Sequence, residues 1–203
     1  MDFARKFLRG AATLAEQVDA DAIERMAIVI ADIRARGGRL FFVGVGGGAG
    51  HASHAVSDFR KLAGLECYAP TDNVSELTAW VNDEGWDSSF SAWLERSRLS
   101  ARDGVFVFSV GGGDVSKQVS VNIVKAVDFA GSVGATVLGI VGRDGGHTAL
   151  HGDAVLVIPT IDPTLSTAYT EAFQAVVWHL LVSHPAVAVR PPKWESVEGD
   201  RPR

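Results

Sequence analysis

Between Leu8 and Ile33 the apolar residues recur at helical spacing. Leu8, Ala11, Ala12, Leu14, Ala15 and Val18 form one stripe; Ile23, Met26, Ala27, Ile30 and Ile33 form a second. The pattern predicts helix from Phe3 to Arg36, broken near Asp19 to Asp21 and stopped by Gly37-Gly38. The period then changes. Leu40–Val43 is a short apolar run, and Val105–Ser109 is another, as expected of strands covered on both faces. A helix is predicted from about Ala49 to Leu62 and a short strand over Leu65–Ala69. Asp72 or Ser75 would cap one short helix, and Asp87-Ser88 another reaching Arg98. Val115, Val119, Ile123, Val124 and Val127 fall on one side of a helix predicted from Asp114 to about Ala130. Strands at Ala135–Val141 and Ala154–Ile158 and a last helix at Thr164–Ser183 complete the series. This alternation predicts an α/β fold: a three-layer, doubly wound parallel sheet of about five strands with an N-terminal helical extension. Residues 1–37 form that extension, 38–185 the α/β domain, and Ala186–Arg203, rich in Pro and charge, a loose arm.

Two of the predicted strands run into glycine turns followed by helices: Gly44-Val45-Gly46-Gly47-Gly48 and Gly111-Gly112-Gly113. Glycine lets backbone N–H groups converge on a ligand, and the following helix N-terminus carries partial positive charge. In open parallel sheets ligands bind at this end of the strands. Gly44 to Ala49 also fits the dinucleotide pattern G-x-G-x-x-A. That motif wants an acid at the end of the next strand. Glu66 is at the right distance but at the strand's start, with Pro70 beyond it, so nicotinamide binding ranks third among the readings. No Walker lysine follows either turn, which argues against a nucleoside triphosphatase.

Composition narrows the class. The 203 residues suffice for one α/β domain, and the net charge of −5, with no Lys/Arg run, argues against direct nucleic-acid binding. Cys67 is the single cysteine, so no internal disulfide framework exists. No apolar run approaches the roughly 18 residues of a membrane span. A cytoplasmic protein without a membrane partner is the plain expectation.

From Leu40 to about His184 the chain resembles a sugar isomerase (SIS) domain, and within that superfamily the sedoheptulose 7-phosphate (phosphoheptose) isomerase branch. Gly44-Val45-Gly46-Gly47-Gly48 matches the family's GNGGS, and His54 with Asp58 its H-x-x-x-E. Val81-Asn82-Asp83-Glu84-Gly85-Trp86 matches G-N-D-F-G-F. Ser109-Val110-Gly111-Gly112-Gly113-Asp114 takes the place of S-T-S-G-N-S. Gly142-Arg143-Asp144-Gly145-Gly146 matches G-K-D-G-G, and Thr170-Glu171-Ala172 with His179 matches the end of the final helix. The resemblance implies a homotetramer with active sites between subunits. It implies interconversion of a ketose phosphate and an aldose phosphate through an enediol, with a carboxylate and a histidine exchanging protons. Zinc near those residues occurs in some members.

On that template Asp58, His179 and Glu171 are the catalytic candidates. Gly46, Gly47, Gly48, His54, Asp83, Ser109, Gly111, Gly112, Gly113, Asp114 and Gln174 are the ligand-binding candidates. His54, Asp58, Glu171 and His179 could together hold zinc. Asp58 is one methylene shorter than the family's glutamate, about 1.5 Å of reach. His51 shares their helix face but reads as a surface histidine, and Trp80, Trp86 and Trp93 read first as packing residues. The departures gather in the ligand site. Val45 stands for asparagine, Gly48 for serine, Val110 for threonine and Gly111 for serine. Each lost hydroxyl removes a charge-assisted bond worth about 1.5–3 kcal/mol. Asp114 stands for the last serine. It would repel a phosphate or, as the helix cap, occupy the anion site itself, while Lys117 in the first helical turn could compensate. Two principal readings follow: an isomerase of a sedoheptulose 7-phosphate-like sugar, or a non-catalytic SIS protein acting as a sugar-phosphate sensor or partner-binding tetramer.

Overall fold

The computed structural model describes residues 2–191. Two helices open it, α1 over Phe3–Gln17 and α2 over Ala20–Ala35. The break predicted near Asp19 is a cap. Val18 turns extended, and Asp19 Oδ1 accepts a bond from Ala22 N at 3.0 Å, starting a new helix rather than continuing the old one. Gly37, at φ +68°, ends α2, and Gly38 lies so close to the Arg102 carbonyl that a Cβ would overlap it.

The rest alternates. β1 (Arg39–Gly44) leads to α3 (Gly47–Leu62), and β2 (Glu66–Tyr68) to α4 (Val74–Glu84) and α5 (Ser89–Arg96). β3 (Gly104–Ser109) leads to α6 (Val121–Ser132), β4 (Thr136–Val141) to α7 (Gly146–His151), and β5 (Ala154–Val157) to α8 (Ser166–Ser183). All pairings are parallel in the order β2-β1-β3-β4-β5. The order reverses between β1 and β3, so the crevice of the doubly wound sheet opens at the two glycine turns. Both faces are covered. Phe42, Phe106 and Phe108 pack with Phe59, Ile30 and Trp178 on one side. Phe41, Val105 and Val107 pack with Phe90, Trp93 and Ile123 on the other. That two-sided burial is why β1 and β3 read as continuous apolar runs. No helix among the described residues is long and apolar enough to cross a membrane.

Four local expectations change. Asn73, not Asp72 or Ser75, caps α4, its Oδ1 accepting from Glu76 N at 3.3 Å, while Asp72 falls in a 3-10 turn. The helix expected from Asp114 starts only at Val121. Residues 114–119 instead form a tight hairpin, closed by Asp114 N to Val119 O (2.9 Å) and Val119 N to Asp114 O (3.0 Å). Val115 and Val119 are therefore exposed instead of lining a helix face. α7 was not foreseen, because its six residues open on glycine and carry no apolar period. The expected loose arm is tied down at its start. Arg34 donates to the Ala186 carbonyl (2.9 Å) and to that of Val187, and Val189 N and Arg190 N bond Leu62 O. The remainder of the arm lies outside the described residues.

One buried ion pair joins the strand starts. Asp103, 2 % exposed, accepts from Arg39 N (2.9 Å), Arg39 Nη2 (2.9 Å), Ser100 N (2.9 Å) and Ser100 Oγ (2.9 Å). Burial works to raise its carboxyl pKa, but the Arg39 and Ser100 donors outweigh burial and hold it below the ordinary value. A depressed folded-state pKa stabilises above the unfolded value and loses that stabilisation as pH falls through the folded one. Asp103→Ala should therefore cost about 3–5 kcal/mol in urea unfolding near neutral pH, with the gap to wild type closing in acid. An unchanged midpoint would remove this pair from the account of the fold.

Candidate functional site

The first glycine turn is shaped by contacts that leave no space for side chains. A Cβ on Gly44 would overlap the Gly48 main chain, and one on Gly48 would overlap the Phe108 carbonyl at the end of β3. Gly46, at φ +60°, occupies the N-cap position of α3 without a side-chain cap. A side chain at position 48 would therefore require the Phe108 carbonyl to move. Gly47 faces α8: a Cβ there would stand 2.5 Å from the Glu171 carboxyl. The Glu171 carboxylate thus lies at the N-terminus of α3, where the helix dipole favours negative charge.

Below it, α3 and α8 run side by side and share a seam of ionisable groups. His54 Nε2 is 3.8 Å from Asp58 Oδ2, and one ligand atom from each of His54, Asp58 and His179 lies within 4.8 Å of the others. His54 packs edge-on against Trp178 (4.7 Å between centroids) and His179 (5.5 Å). His179 stacks on Trp178 and donates from Nδ1 to the Ala175 carbonyl at 2.7 Å. That bond places the proton on Nδ1 and leaves the Nε2 lone pair free for a proton or a metal. Residues three, four and seven apart on a helix share a face, so the spacing of His54 and Asp58 required this much.

Glu171 is not part of that trio. It precedes His179 by eight residues, about 12 Å of helix rise, and meets the glycine turn instead. His51 fills the gap. Read from sequence as a surface group, it is half-buried, 6.0 Å from the Phe108 ring and facing Glu171, His54 and His179. Burial lowers its imidazole pKa, and the Glu171 charge opposes that shift without cancelling it. The sequence held the signal: His51 lies four residues after Gly47 and three before His54.

The second turn also differs from expectation. Ser109 Oγ accepts from Gly112 N at 3.0 Å, so the retained hydroxyl closes its own turn. Gly112 and Gly113 have φ of +68° and +84°. Their carbonyls accept from Thr148 N (2.9 Å), Thr148 Oγ1 (2.7 Å) and His147 N (2.8 Å). Asp114 does not cap α6; Ser120 holds that position, with no side-chain cap bond. Asp114 and Lys117 belong to the hairpin. Asp114 Oδ1 accepts from Ser116 Oγ (2.7 Å) and Lys117 N (3.0 Å), and Oδ2 from Lys117 Nζ (2.8 Å). The Lys117 bond first, then Ser116, holds the Asp114 carboxyl well below the usual range. Its charge is already partnered, so the expected repulsion of a phosphate is offset.

Two candidates lie elsewhere. Gln174 is fully buried and donates from Nε2 to the Ile140 carbonyl at 2.9 Å, a prop between α8 and β4, while its buried Oε1 has no partner among the described residues. Asp83 is exposed on α4 and accepts from Asn82 Nδ2 at 2.7 Å. Glu66 opens β2 and accepts from Tyr68 OH at 2.9 Å, so it cannot serve the dinucleotide pattern. Trp93 packs in the core, and Trp80 packs against it.

No protein-family model matches the chain. It is 30% identical over 171 residues to the phosphoheptose isomerase of Chlorobaculum parvum, covering 81% of this chain and 77% of that one. The chain belongs to the phosphoheptose isomerase family. It is also 30% identical over 191 residues to lincomycin biosynthesis protein LmbN of Streptomyces lincolnensis, covering 89% of this chain and 68% of that protein. Among solved structures, phosphoheptose isomerase GmhA from Neisseria gonorrhoeae superimposes with a TM-score of 0.76 at 26% identity, over 89% of this chain and 95% of that one. For a phosphoheptose isomerase relative, the two glycine turns sit where the sequence placed them, at the carboxyl ends of β1 and β3.

The two turns should respond differently to a methyl group. In Gly112→Ala the Cβ would strike the Gly145 carbonyl at a left-handed φ, so the thermal midpoint should fall sharply or folding fail. In Gly47→Ala the obstacle is the mobile end of Glu171, so stability should change by less than about 1 kcal/mol while Glu171 is displaced. Thermal unfolding of both variants checks the contrast; equal losses would contradict it.

Proposed function

We propose that this protein is an aldose–ketose isomerase acting through an enediol on a sedoheptulose 7-phosphate-like sugar. Membership of the phosphoheptose isomerase family supports a sugar-phosphate isomerase and weighs against the non-catalytic sensor or partner-binding reading. The observation that carries the chemistry is the meeting of Asp58, His54 and His179 across the α3–α8 seam.

Enediol formation needs a base for the proton on the carbon beside the carbonyl and an acid–base group for the oxygens. Asp58, with its side chain only 20% exposed, suits the first role. His179, with Nε2 free, suits the second. Glu171 and His51 extend the ionisable seam toward the first glycine turn. A tetramer with shared sites is part of the same proposal, with residues 1–37 in the oligomer core. Supporting it, α4 buries none of its residues within the chain, and Phe3, Leu8, Val74, Val176 and Leu180 are exposed. A second copy would cover such apolar surface.

His54, Asp58 and His179 also suit zinc. Two imidazoles and a carboxylate form a known catalytic donor set with one position open. Ligand atoms of tetrahedral zinc stand roughly 3.3 Å apart, so the exposed His54 and His179 side chains would close inward slightly. When bound there, zinc would supply Lewis-acid polarisation of the sugar carbonyl. Asp58 would then be a ligand rather than the base.

Asp58→Asn and His179→Gln should each lower kcat about 10²–10⁴-fold on sedoheptulose 7-phosphate, followed by NMR of the isomerised product, with thermal midpoints preserved. Full activity in both variants would refute the assigned roles. Metal analysis of protein purified without added zinc tests the metal: none bound, and no effect of chelator, removes zinc from the proposal.

A further inference from the structure

The second glycine turn keeps only the Ser109 hydroxyl of its family's motif, and that one closes the turn itself, yet the turn borders a cleft built by other residues. Gly111, Gly113, Asp114, Lys117, Arg143 and Asp144 are among those lining a cavity of about 280 Å³. That volume is near the low end of small-ligand sites, about 300 Å³, and suits the phosphate end of a sugar better than a dinucleotide. We propose that this cleft holds the substrate's phosphomonoester through the cations Arg143 and Lys117, in place of the missing serine and threonine hydroxyls. The inference rests on the sugar-phosphate reading above and deepens it.

Arg143 carries the argument. It is a non-glycine residue held at φ +55°, between Gly142 N bonded to Val110 O (3.1 Å) and Gly145 N bonded to Gly142 O (2.9 Å). Such a backbone persists where its surroundings impose it. The effect is to lay the guanidinium over the glycine turn, Nη1 standing 3.7 Å from where a Gly111 Cβ would be. Among the described residues Arg143 makes no ion pair or side-chain hydrogen bond. A planar guanidinium with its donors free is suited to two parallel bonds to a phosphate.

Lys117 is the movable partner. It stands on the Asp114–Val119 hairpin, 74% exposed, paired with Asp114 at 2.8 Å. The cleft is electrically balanced, with Asp114 and Asp144 against Lys117 and Arg143. Asp144 Oδ1 accepts from Gly146 N at 3.2 Å, so it is turned to its own loop. An arriving dianion competes with Asp114 for Lys117. This competition fixes the sign of each substitution: removing a cation weakens phosphate binding, and neutralising Asp114 strengthens it.

The test is titration of the full-length protein with inorganic phosphate at low salt, followed by NMR or calorimetry, alongside KM for sedoheptulose 7-phosphate. Arg143→Gln should weaken phosphate binding and raise KM about tenfold, with Arg143→Lys between it and wild type. Lys117→Gln should weaken binding several-fold, and Asp114→Asn should tighten it. Wild-type affinity in both Arg143→Gln and Lys117→Gln, or weaker binding in a folded Asp114→Asn, overturns the proposal. If phosphate binds with these signs but no sugar is isomerised, the cleft stands and the isomerase reading fails. If the sugar is isomerised and KM ignores both cations, the isomerase stands and the cleft fails.

Discussion

At the carboxyl ends of β1, β3 and β4, main chain packs directly on main chain, with no room for a β-carbon. Gly44 lies on Gly48, Gly48 on the Phe108 carbonyl, Gly112 on Gly145, and Gly146 on the carbonyls of Gly111 and Gly113. These contacts lock three loops into one rim. Thr148 and His147 hold the rim from α7 through the carbonyls of Gly112 and Gly113. The start of α3 is fixed against β3, which in turn sets where α3 meets α8. A loss of any one contact would leave buried carbonyls without partners or force backbone apart, at costs of kilocalories rather than tenths.

The same contacts limit what the glycines of the two turns can carry. Gly48 cannot carry a serine side chain without moving Phe108, and Gly111 to Gly113 are used for docking against the β4 loop. A rim assembled this tightly has few hydroxyls to offer. Charge enters instead from its edges: Glu171 from α8 at the first turn, and Lys117 and Arg143 at the second. The site is therefore a rigid backbone frame with ionisable side chains around it, a division that preorganises the geometry while leaving the charged tips free to move.

Much of the architecture was legible along the chain. Buried strands read as unbroken apolar runs, the break between α1 and α2 was expected near Asp19, and helical spacing put His54 and Asp58 on one face. The family pattern gave the order of the motifs. What escaped was decided by contacts distant in sequence. Asp114 has the chemistry of a helix cap, but Lys117 and Ser116 compete for it and Val119 pairs with it, so the helix waits until Val121. A local preference worth about 1 kcal/mol does not survive such competition.

The alternation of strands and helices, the two glycine turns and the membership of the α3 face follow from local patterns, because period and glycine placement are written residue by residue. Only the folded chain could separate Glu171 from the histidine trio, bring half-buried His51 into the seam, bury Gln174 under β4 and lay Arg143 over the second turn. Each of these depends on how two elements far apart in sequence are rotated and pressed together. That geometry is set by close packing across the sheet, which no single stretch of sequence records.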